Sequence, residues 1–411
     1  MFRFLHAADV HLDSPLRGLD RYEGAPVAEV RAATRRAFGA LVETAIAERV
    51  AFVVLAGDLY DGDWRDYGTG MFFAAECTKL RDAGIAVFLA AGNHDAESVL
   101  TKHLPRADNV RIFPTKAPDT FRIDDLGVAL HGQGFGRKAV PDDLTAAYPP
   151  AIRGLLNIGV LHTSLDGREG HASYAPTSAD ALRRRGYDYW ALGHVHAREV
   201  VSRDPWIVFP GNVQGRHVRE SGDKGASLVT VEGDRITDVT HRAFDVLRWN
   251  HVRIDATVCA NEDDVLEATR RAFAAAIVES DGRSVAARVT IVAHRGQHAR
   301  LLADPARLAA QVRTTGTDAS SGRLWVEKVR TETSTIAPGG ASAEAVSDLV
   351  RELTDARDDA DERAALAETL ATFVRELPPE VTEGAGLDLD PLLAEARAHL
   401  ASRLAAEGGA A

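Results

Sequence analysis

The chain has 411 residues, of which 45% are hydrophobic and 26% charged, and this balance is that of a globular protein and excludes a globally disordered chain. Its apolar runs, such as residues 84–92, are far shorter than the ~18–20 residues of a membrane span, and Asp9 and Asp13 interrupt the N-terminal stretch, which argues against a signal peptide. Two cysteines are too few for a disulfide framework or a thiolate zinc site, so we expect a cytoplasmic protein.

Short apolar runs recur through residues 1–245, and each ends in glycine or a polar residue, as buried strands do. Between the first three runs, residues 26–49 and 70–83 carry apolar side chains at helical spacing. The alternation of strand and helix predicts an α/β domain of stacked layers with largely buried sheets. The predicted strands are Phe2–Ala8, Ala51–Gly57, Ile85–Ala91, Val128–Gly132, Asn157–His162, Tyr189–Gly193 and Trp206–Gly211.

After Asp245 a smaller unit begins. Residues 246–332 have the pattern β-α-β-α-β, with helices at 261–280 and near 305–314. Glycine, proline, serine and threonine at 333–342 indicate a linker, and amphipathic helical patterns follow to the end of the chain. We therefore expect a catalytic domain at 1–245, a small domain at 246–332 and a helical tail at 343–411.

The formal net charge of −12 argues, at first sight, against binding to the phosphate backbone of a nucleic acid. Its distribution changes that conclusion. Residues 1–250 carry 30 basic and 33 acidic side chains, residues 251–340 carry 12 and 11, and residues 341–411 carry 6 and 16. The acidity therefore belongs almost wholly to the tail, which we expect to be the part least suited to touch nucleic acid.

Five polar segments stand where predicted strands end. Residues i and i+2 of an extended segment point the same way, so Asp9 with His11, and His194 with His196, can each aim two side chains at one point. The segments together offer imidazole, carboxylate and amide oxygen but no sulfur, which suits Mn²⁺, Fe²⁺ or Zn²⁺. They predict a dinuclear metal site, and they are Asp9–His11, Gly57–Asp61, Gly92–Asp95, Leu161–Thr163 and Gly193–His196.

The order DxH, GD, GNHD, H, GHxH resembles that of the calcineurin-like metallophosphoesterases, and the likeness covers roughly residues 1–245. The resemblance implies a four-layer αββα sandwich, here with a small α/β capping domain and a C-terminal helical tail. It also implies two divalent metal ions, with Asp58 bridging them and His94 acting on the leaving group without binding metal. The remaining implied ligands are Asp9, His11 and His196 for one ion and Asn93, His162 and His194 for the other.

The protein phosphatases of this superfamily carry Arg-Gly after the second aspartate of the GD segment, whereas Gly62 and Asp63 follow Asp61 here. The opening HAADVHLDSP and the later PGNVQGRH resemble instead the YhaO/SbcD-type DNA repair exonucleases. That branch implies a metal-dependent phosphodiesterase acting on DNA, by in-line attack of hydroxide on phosphorus between two divalent metal ions, for which we expect Mn²⁺. Alternatives are a phosphodiesterase or phosphatase for small phosphoesters, and a non-catalytic subunit that binds DNA ends or an ATPase.

Three side chains near the ligands admit two interpretations each. Asp61 either supports the site by orienting His94 or caps a helix. Arg216 and His217 either contact a substrate phosphate or order their own loop.

The resemblance also implies partners. In SbcD-type nucleases a capping domain steers DNA toward the metals, a C-terminal helical segment docks on an SbcC-like ABC ATPase, and the catalytic domains form a homodimer. The chain lacks a GxxxxGK[ST] loop of its own, so any ATP dependence would come from such a partner. The alternative for the tail is that its helices pack back on the enzyme.

Overall fold

The computed structural model of the chain describes residues 1–14, 27–61, 67–97, 107–166, 174–294 and 303–334, with the single positions 298, 301, 364, 368 and 393. The helical tail predicted at 343–411 lies outside the described residues apart from three of those positions. Gly62 and Asp63 lie outside them as well. Across the described ranges, no helix combines the length and the hydropathy that a membrane span requires.

The chain divides into two compact units. The first comprises residues 1–254, 262–291 and 304–330. The second comprises residues 255–261, 292–303 and 331–411. All the predicted site residues belong to the first unit.

Residues 1–243 contain the following strands and α-helices in chain order within the described ranges. They are β1 (Phe2–Ala7), α1 (Val27–Ala47), β2 (Phe52–Ala56), α2 (Tyr67–Asp82), β3 (Ala86–Ala90), α3 (Asn93–Glu97), β4 (Val110–Ile112), β5 (Asp119–Ile123), β6 (Val128–Gln133), β7 (Leu156–His162), α4 (Ala179–Arg184), β8 (Tyr189–Gly193), β9 (Glu199–Arg203), β10 (Trp206–Phe209), β11 (Gly225–Glu232) and β12 (Arg235–Ala243).

These strands form two six-stranded sheets. The first has the order β12-β11-β1-β2-β3-β4, with β1 to β4 parallel and β11 and β12 antiparallel to their neighbours. The second has the order β5-β6-β7-β8-β10-β9, with antiparallel strands at both edges of a parallel centre. The parallel strands of each sheet thus bring their carboxyl ends to one edge, where the polar segments lie.

The sequence of β2 explains why the sheets are buried on both faces. Phe52, Val54 and Ala56 belong to a core shared with the second sheet, whereas Val53 and Leu55 pack with α1 and α2. Side chains alternate along a strand, so a run of five apolar residues serves two cores at once. A third core, around Trp190, covers the outer face of the second sheet beside α4. The result is the predicted four-layer αββα arrangement.

Five strands were not predicted from the sequence: β4, β5, β9, β11 and β12. Four of them lie at the edges of the sheets, where one face or more is exposed. The fifth, β11, is buried but begins with glycine, alanine and serine. Their apolar content is therefore lower than that of the central parallel strands, and a search for apolar runs passes over them.

The predicted small domain at 246–332 has the expected order of strands and helices. It consists of a three-stranded sheet, ordered β13-β14-β15, and two helices. The elements are β13 (Leu247–Asp255), α5 (Glu262–Glu279), β14 (Ser284–Ala293), α6 (Pro305–Ser320) and β15 (Leu324–Thr333).

The two large sheets meet closely at Gly193, the last residue of β8. A Cβ atom at this position would lie 1.8 Å from the carbonyl oxygen of Ala56 and 2.9 Å from Nδ1 of His162. The absence of a side chain at Gly193 thus allows the ends of β2, β7 and β8 to approach one another. This contact brings the polar segments of different sheets together.

Substituting Gly193→Ala should therefore lower the free energy of unfolding by about 3 kcal/mol, because the obstacle is a backbone carbonyl that has little freedom to move. Gly39→Ala is the matched control, since its Cβ would meet no atom within 4 Å in the middle of α1, and it should stabilise the protein by about 0.5–1 kcal/mol. Urea denaturation of both variants measures the difference. Equal effects of the two substitutions would contradict the close approach.

Candidate metal centre

The loops that follow β1 and β2 run side by side and fix the first ligand candidates. Asp9 donates its backbone N–H to Gly57, at 3.0 Å, and His11 donates to Asp58, also at 3.0 Å. Asp9, His11 and Asp58 all have positive φ angles, of 50°, 45° and 52°. Such angles are unfavourable for residues with side chains and tend to occur at functional sites. The strained backbone here turns three polar side chains toward one region.

Asp9, His11 and His196 form the first group of donors. One donor atom from each lies within 4.8 Å of the others. The two Nε2 atoms of His11 and His196 are 3.3 Å apart, and Nε2 of His196 lies 3.7 Å from Oδ1 of Asp9. The structure thus brings together the three residues predicted from the sequence for one metal ion.

Asp58, His162 and Asp9 form a second group of donors, and Asn93 lies beside it. Nε2 of His162 lies 3.0 Å from Oδ1 of Asn93 and 3.4 Å from Oδ2 of Asp58. The same Oδ2 of Asp58 is 3.9 Å from Nε2 of His11. The Asp58 carboxylate therefore lies between the two groups, which is the position that a bridging ligand requires.

His194 lies beside the second group. Its ring centroid is 5.2 Å from that of His162, and its backbone N–H donates to both carboxylate oxygens of Asp9, at 3.1 and 2.9 Å. Its backbone φ angle is 100°, which is positive like those of Asp9, His11 and Asp58. Its ring nitrogens are not in the donor groups found among the described residues, so its role as a ligand stays a prediction.

Hydrogen bonds fix which nitrogen of two histidines carries the proton. Nδ1 of His162 lies 3.0 Å from the carbonyl oxygen of Ala56, and Nδ1 of His196 lies 2.7 Å from Oε1 of Glu220. Carbonyl and carboxylate oxygens only accept, so each Nδ1 donates, and in the neutral ring each Nε2 keeps its lone pair. Nη2 of Arg216 also only donates and lies farther from Nδ1 of His196, at 3.3 Å, so Glu220 is the partner of that proton. Both lone pairs face the donor groups. This arrangement fits a metal ion, because a cation can bind the imidazole lone pairs and the carboxylate oxygens that otherwise face one another.

The electrostatics of the centre also fit a cation. Burial alone would lower the pKa of His162, but the carboxylates of Asp58 and Asp9 outweigh it and raise that pKa to about 9. Burial, together with the charge of Arg216, lowers the pKa of His11 to about 3. Burial also raises the pKa of Asp9. The two buried carboxylates are thus stabilised by nearby positive charge. His11 stays neutral in the same site and can bind a metal ion.

His94 and Asp61 form, together with His11, a third group whose donor atoms lie within 4.8 Å of one another, at the edge of this centre. Nδ1 of His94 lies 2.9 Å from Oδ1 of Asp61, and this hydrogen bond raises the pKa of His94 above its ordinary value. Ser14 donates its hydroxyl to Oδ2 of Asp61, at 2.6 Å. His94 is 35% exposed, whereas the ligand candidates Asp9 and His162 are buried. The pair therefore combines a fixed Nδ1 with access to solvent.

Arg216 and His217 differ in their surroundings. Arg216 is 14% exposed, and its guanidinium lies 3.1 Å from Glu220 and 3.8 Å from Asp61. His217 is 54% exposed and its Nε2 lies 3.6 Å from Glu220. Arg216 thus lies within the centre and His217 at its rim.

Two carboxylates of the centre, those of Asp95 and Glu220, were not predicted from the sequence to have a role there. Asp95 accepts backbone N–H groups from Leu59, Tyr60 and Gly92, at 3.2, 2.9 and 2.9 Å, and so joins the loops after β2 and β3. Glu220 accepts from His196 and Arg216. Asp95 stands next to a predicted motif residue, but no spacing in the sequence marks Glu220.

Burial alone would raise the pKa of the Glu220 carboxyl, but the hydrogen bond from His196 and the charge of Arg216 outweigh burial and hold that pKa well below its usual range. Burial opposes ionisation of Asp58 in the same way, and His162 outweighs it, so the pKa of Asp58 is also held below its usual range. Both carboxylates are therefore ionised near neutral pH.

Comparison with known families agrees with this geometry. Residues 2–198 match the family model described as calcineurin-like phosphoesterase, and residues 249–334 match that described as metallophosphoesterase YhaO, middle domain. The first match contains all the metal-ligand candidates, from Asp9 to His196.

Curated relatives are found in bacteria and archaea. The uncharacterized metallophosphoesterase YhaO of Bacillus subtilis is 36% identical over 63% of this chain and 64% of its own length. The DNA double-strand break repair protein Mre11 of Sulfurisphaera tokodaii is 24% identical over 61% of this chain and 67% of its own. Mre11 of Methanopyrus kandleri is 28% identical over 51% and 48%. The chain thus spans about half to two-thirds of the length of these relatives. It contains a calcineurin-like metallophosphoesterase domain followed by a YhaO middle domain, and it is a homologue of YhaO and of the Mre11 proteins.

Proposed function

We propose that this metallophosphoesterase is a Mn²⁺-dependent DNA exonuclease that acts in DNA repair. The observation that carries the proposal is the position of the Asp58 carboxylate between two groups of donors, 3.9 Å from Nε2 of His11 and 3.4 Å from Nε2 of His162, with His94 beside them. The similarity to proteins named for double-strand break repair supports DNA as the substrate. The donors are imidazole and oxygen without sulfur, which suits Mn²⁺.

In this proposal Asp9, His11 and His196 would hold one ion, Asn93, His162 and His194 would hold the other, and Asp58 would be the ligand that both share. When bound, two divalent ions supply Lewis-acid chemistry, in that they lower the pKa of a water molecule and neutralise charge on the phosphoryl group. The chain must then hold these ligands in the correct tautomers. Ala56 and Glu220 do so for His162 and His196, through the Nδ1 contacts at 3.0 and 2.7 Å.

His94 has the properties of the group that assists the leaving oxygen. Asp61 occupies its Nδ1, which leaves Nε2 to donate a proton to the departing 3′- or 5′-oxygen. The raised pKa of His94 favours the protonated ring that this step needs. Asp61 then acts through His94 rather than on the substrate.

The central test gives the purified full chain Mn²⁺ with linear duplex DNA, single-stranded DNA and a chromogenic small phosphodiester. We expect DNA degradation, a loss of at least 100-fold in kcat for His94→Ala, and a comparable or larger loss for Asp58→Ala, because one removes the proton donor and the other the shared ligand. Lys116→Ala, at an exposed residue outside the donor groups, is the control and should retain activity.

Two results would point to the alternatives. Hydrolysis of the small ester alone would indicate a phosphoesterase for small substrates. Binding of DNA ends without hydrolysis of any substrate would indicate a non-catalytic subunit.

Arg216 is proposed to contact a phosphate of the substrate, with His217 assisting at the rim. Arg216→Ala should weaken DNA binding about 10-fold and reduce the salt dependence by roughly one phosphate contact. Arg219, which is exposed in the same loop, supplies the control variant Arg219→Ala, with less than a twofold effect expected. Fluorescence anisotropy at several salt concentrations measures both in a His94→Ala background, in which the DNA stays intact. Equal losses for the two variants would argue that only general positive charge matters.

We propose residues 1–245 as the catalytic domain and 246–332 as a capping domain that steers DNA toward the metals. The contacts between the two regions support a fixed arrangement. Val30 and Ala33 of α1 pack with Leu247, Trp249 and Ala286 in one apolar cluster. All five residues belong to the first compact unit, and their cluster holds the start of β13 and part of β14 against α1.

Two protein partners belong to the same proposal. An SbcC-like ABC ATPase would bind the helices of 343–411, and a second copy of the chain would pair with the catalytic domain, where Tyr67 and Met71 expose apolar surface one turn apart on α2. We also propose a cytoplasmic location, since the two cysteines of the sequence are too few for a disulfide framework. Deleting 341–411 should abolish co-purification with the ATPase and leave hydrolysis of a small phosphodiester intact. Unchanged co-purification would contradict the docking.

A further inference from the structure

Glu220 is held rigidly in the loop that follows β10. Its side chain is 6% exposed, and Oε2 accepts the Nδ2–H of Asn212 at 2.9 Å and the backbone N–H of Arg216 at 2.7 Å. Both donors belong to the same loop, so one oxygen of the carboxylate is committed to holding the loop together. A buried carboxylate fixed in this way has little freedom to turn.

The other oxygen, Oε1, faces the metal centre. It lies 2.7 Å from Nδ1 of His196 and 3.1 Å from the guanidinium of Arg216. The first contact fixes the proton of His196 on Nδ1, and the second holds Arg216 beside the same ring. One carboxylate thus connects a ligand candidate with the residue proposed to bind the substrate phosphate.

The loop is fastened on its far side to β13. Oε1 of Gln214 accepts the backbone N–H groups of Val246 and Leu247, at 2.9 and 3.3 Å. The indole N–H of Trp249 donates to the carbonyl of Gly215, at 3.0 Å. The position of Glu220 is therefore set by contacts of its loop with β13 and Val246 as well as by hydrogen bonds within the loop.

We propose that Glu220 is a positioning residue, which sets the tautomer and orientation of His196 for metal binding and holds Arg216 at the same centre. The inference rests on the proposed function only in that His196 must bind a metal ion. A carboxylate that hydrogen-bonds the second nitrogen of a ligating histidine commonly raises metal affinity 10- to 100-fold. The competing explanation is that Glu220 only fills space and neutralises Arg216.

The substitution Glu220→Gln separates these explanations. A glutamine has one accepting oxygen, and the N–H groups of Asn212 and Arg216 need it. Its amide NH₂ group would then face Nδ1 of His196, which favours the tautomer with the proton on Nε2 and removes the lone pair that a metal needs. Glu220→Ala leaves Nδ1 free to donate to water. The positioning role therefore predicts that the glutamine variant, although closer in shape, is the more damaging one for metal binding.

The experiment measures Mn²⁺ binding to the metal-free full chain by isothermal titration calorimetry, and the thermal midpoint of each variant without metal. We expect Glu220→Gln to weaken binding at one site at least 10-fold, and Glu220→Ala to weaken it less. The control Asp223→Asn, a more exposed carboxylate three residues away, should bind Mn²⁺ as the wild type does.

Binding of the glutamine variant within twofold of the wild type, or a larger loss in the alanine variant, would overturn the positioning role. Should Glu220→Ala fail to fold, the 10-fold criterion for Glu220→Gln decides alone. A wild-type chain that binds no Mn²⁺ would instead overturn the proposed function, and the positioning role with it. Failure of the two proposals is thus distinguishable.

Discussion

The burial of Asp58 among histidines is the constraint on which the rest of this structure depends. An ionised carboxylate is costly to bury unless positive charge or hydrogen bonds compensate it. Asp58 accepts a hydrogen bond from the backbone of His94, at 2.9 Å, and lies close to the rings of His11 and His162. With Asp9 in the same buried region, the centre carries two carboxylates whose compensation a pair of divalent cations would complete.

The scaffold meets this constraint by bringing strand ends together from both sheets. Asp9 and Asp58 follow neighbouring parallel strands of the first sheet, whereas His162 and His194 end or follow strands of the second. The close approach at Gly193 and the positive φ angles of the ligand loops are local costs that allow it. Stability that the apolar layers provide elsewhere thus maintains a strained polar centre.

Much of the fold and most of the centre could be predicted from the sequence, for physical reasons. Central strands such as β2 are apolar on both faces, so they stand out, and the turn residues that follow them mark where polar side chains leave the core. The i and i+2 argument assumed extended segments, whereas Asp9, His11 and His194 have positive φ angles. Asp9 and His11 nevertheless share a donor group, but of His194 and His196 only His196 belongs to one among the described residues. Glu220 could not be predicted, because its role depends on a loop conformation that contacts with Gln214 and Trp249 determine. Polar edge strands such as β12 escaped prediction because they lack a continuous apolar pattern.

The most direct test of the account is anomalous X-ray diffraction from crystals of the full chain grown with Mn²⁺, with data collected at the manganese absorption edge. The account predicts two anomalous peaks, one on each side of the Asp58 carboxylate, the first contacted by Nε2 of His196 and the second by Nε2 of His162. A single peak that Asp58 does not touch, or no peak among these side chains, would contradict it.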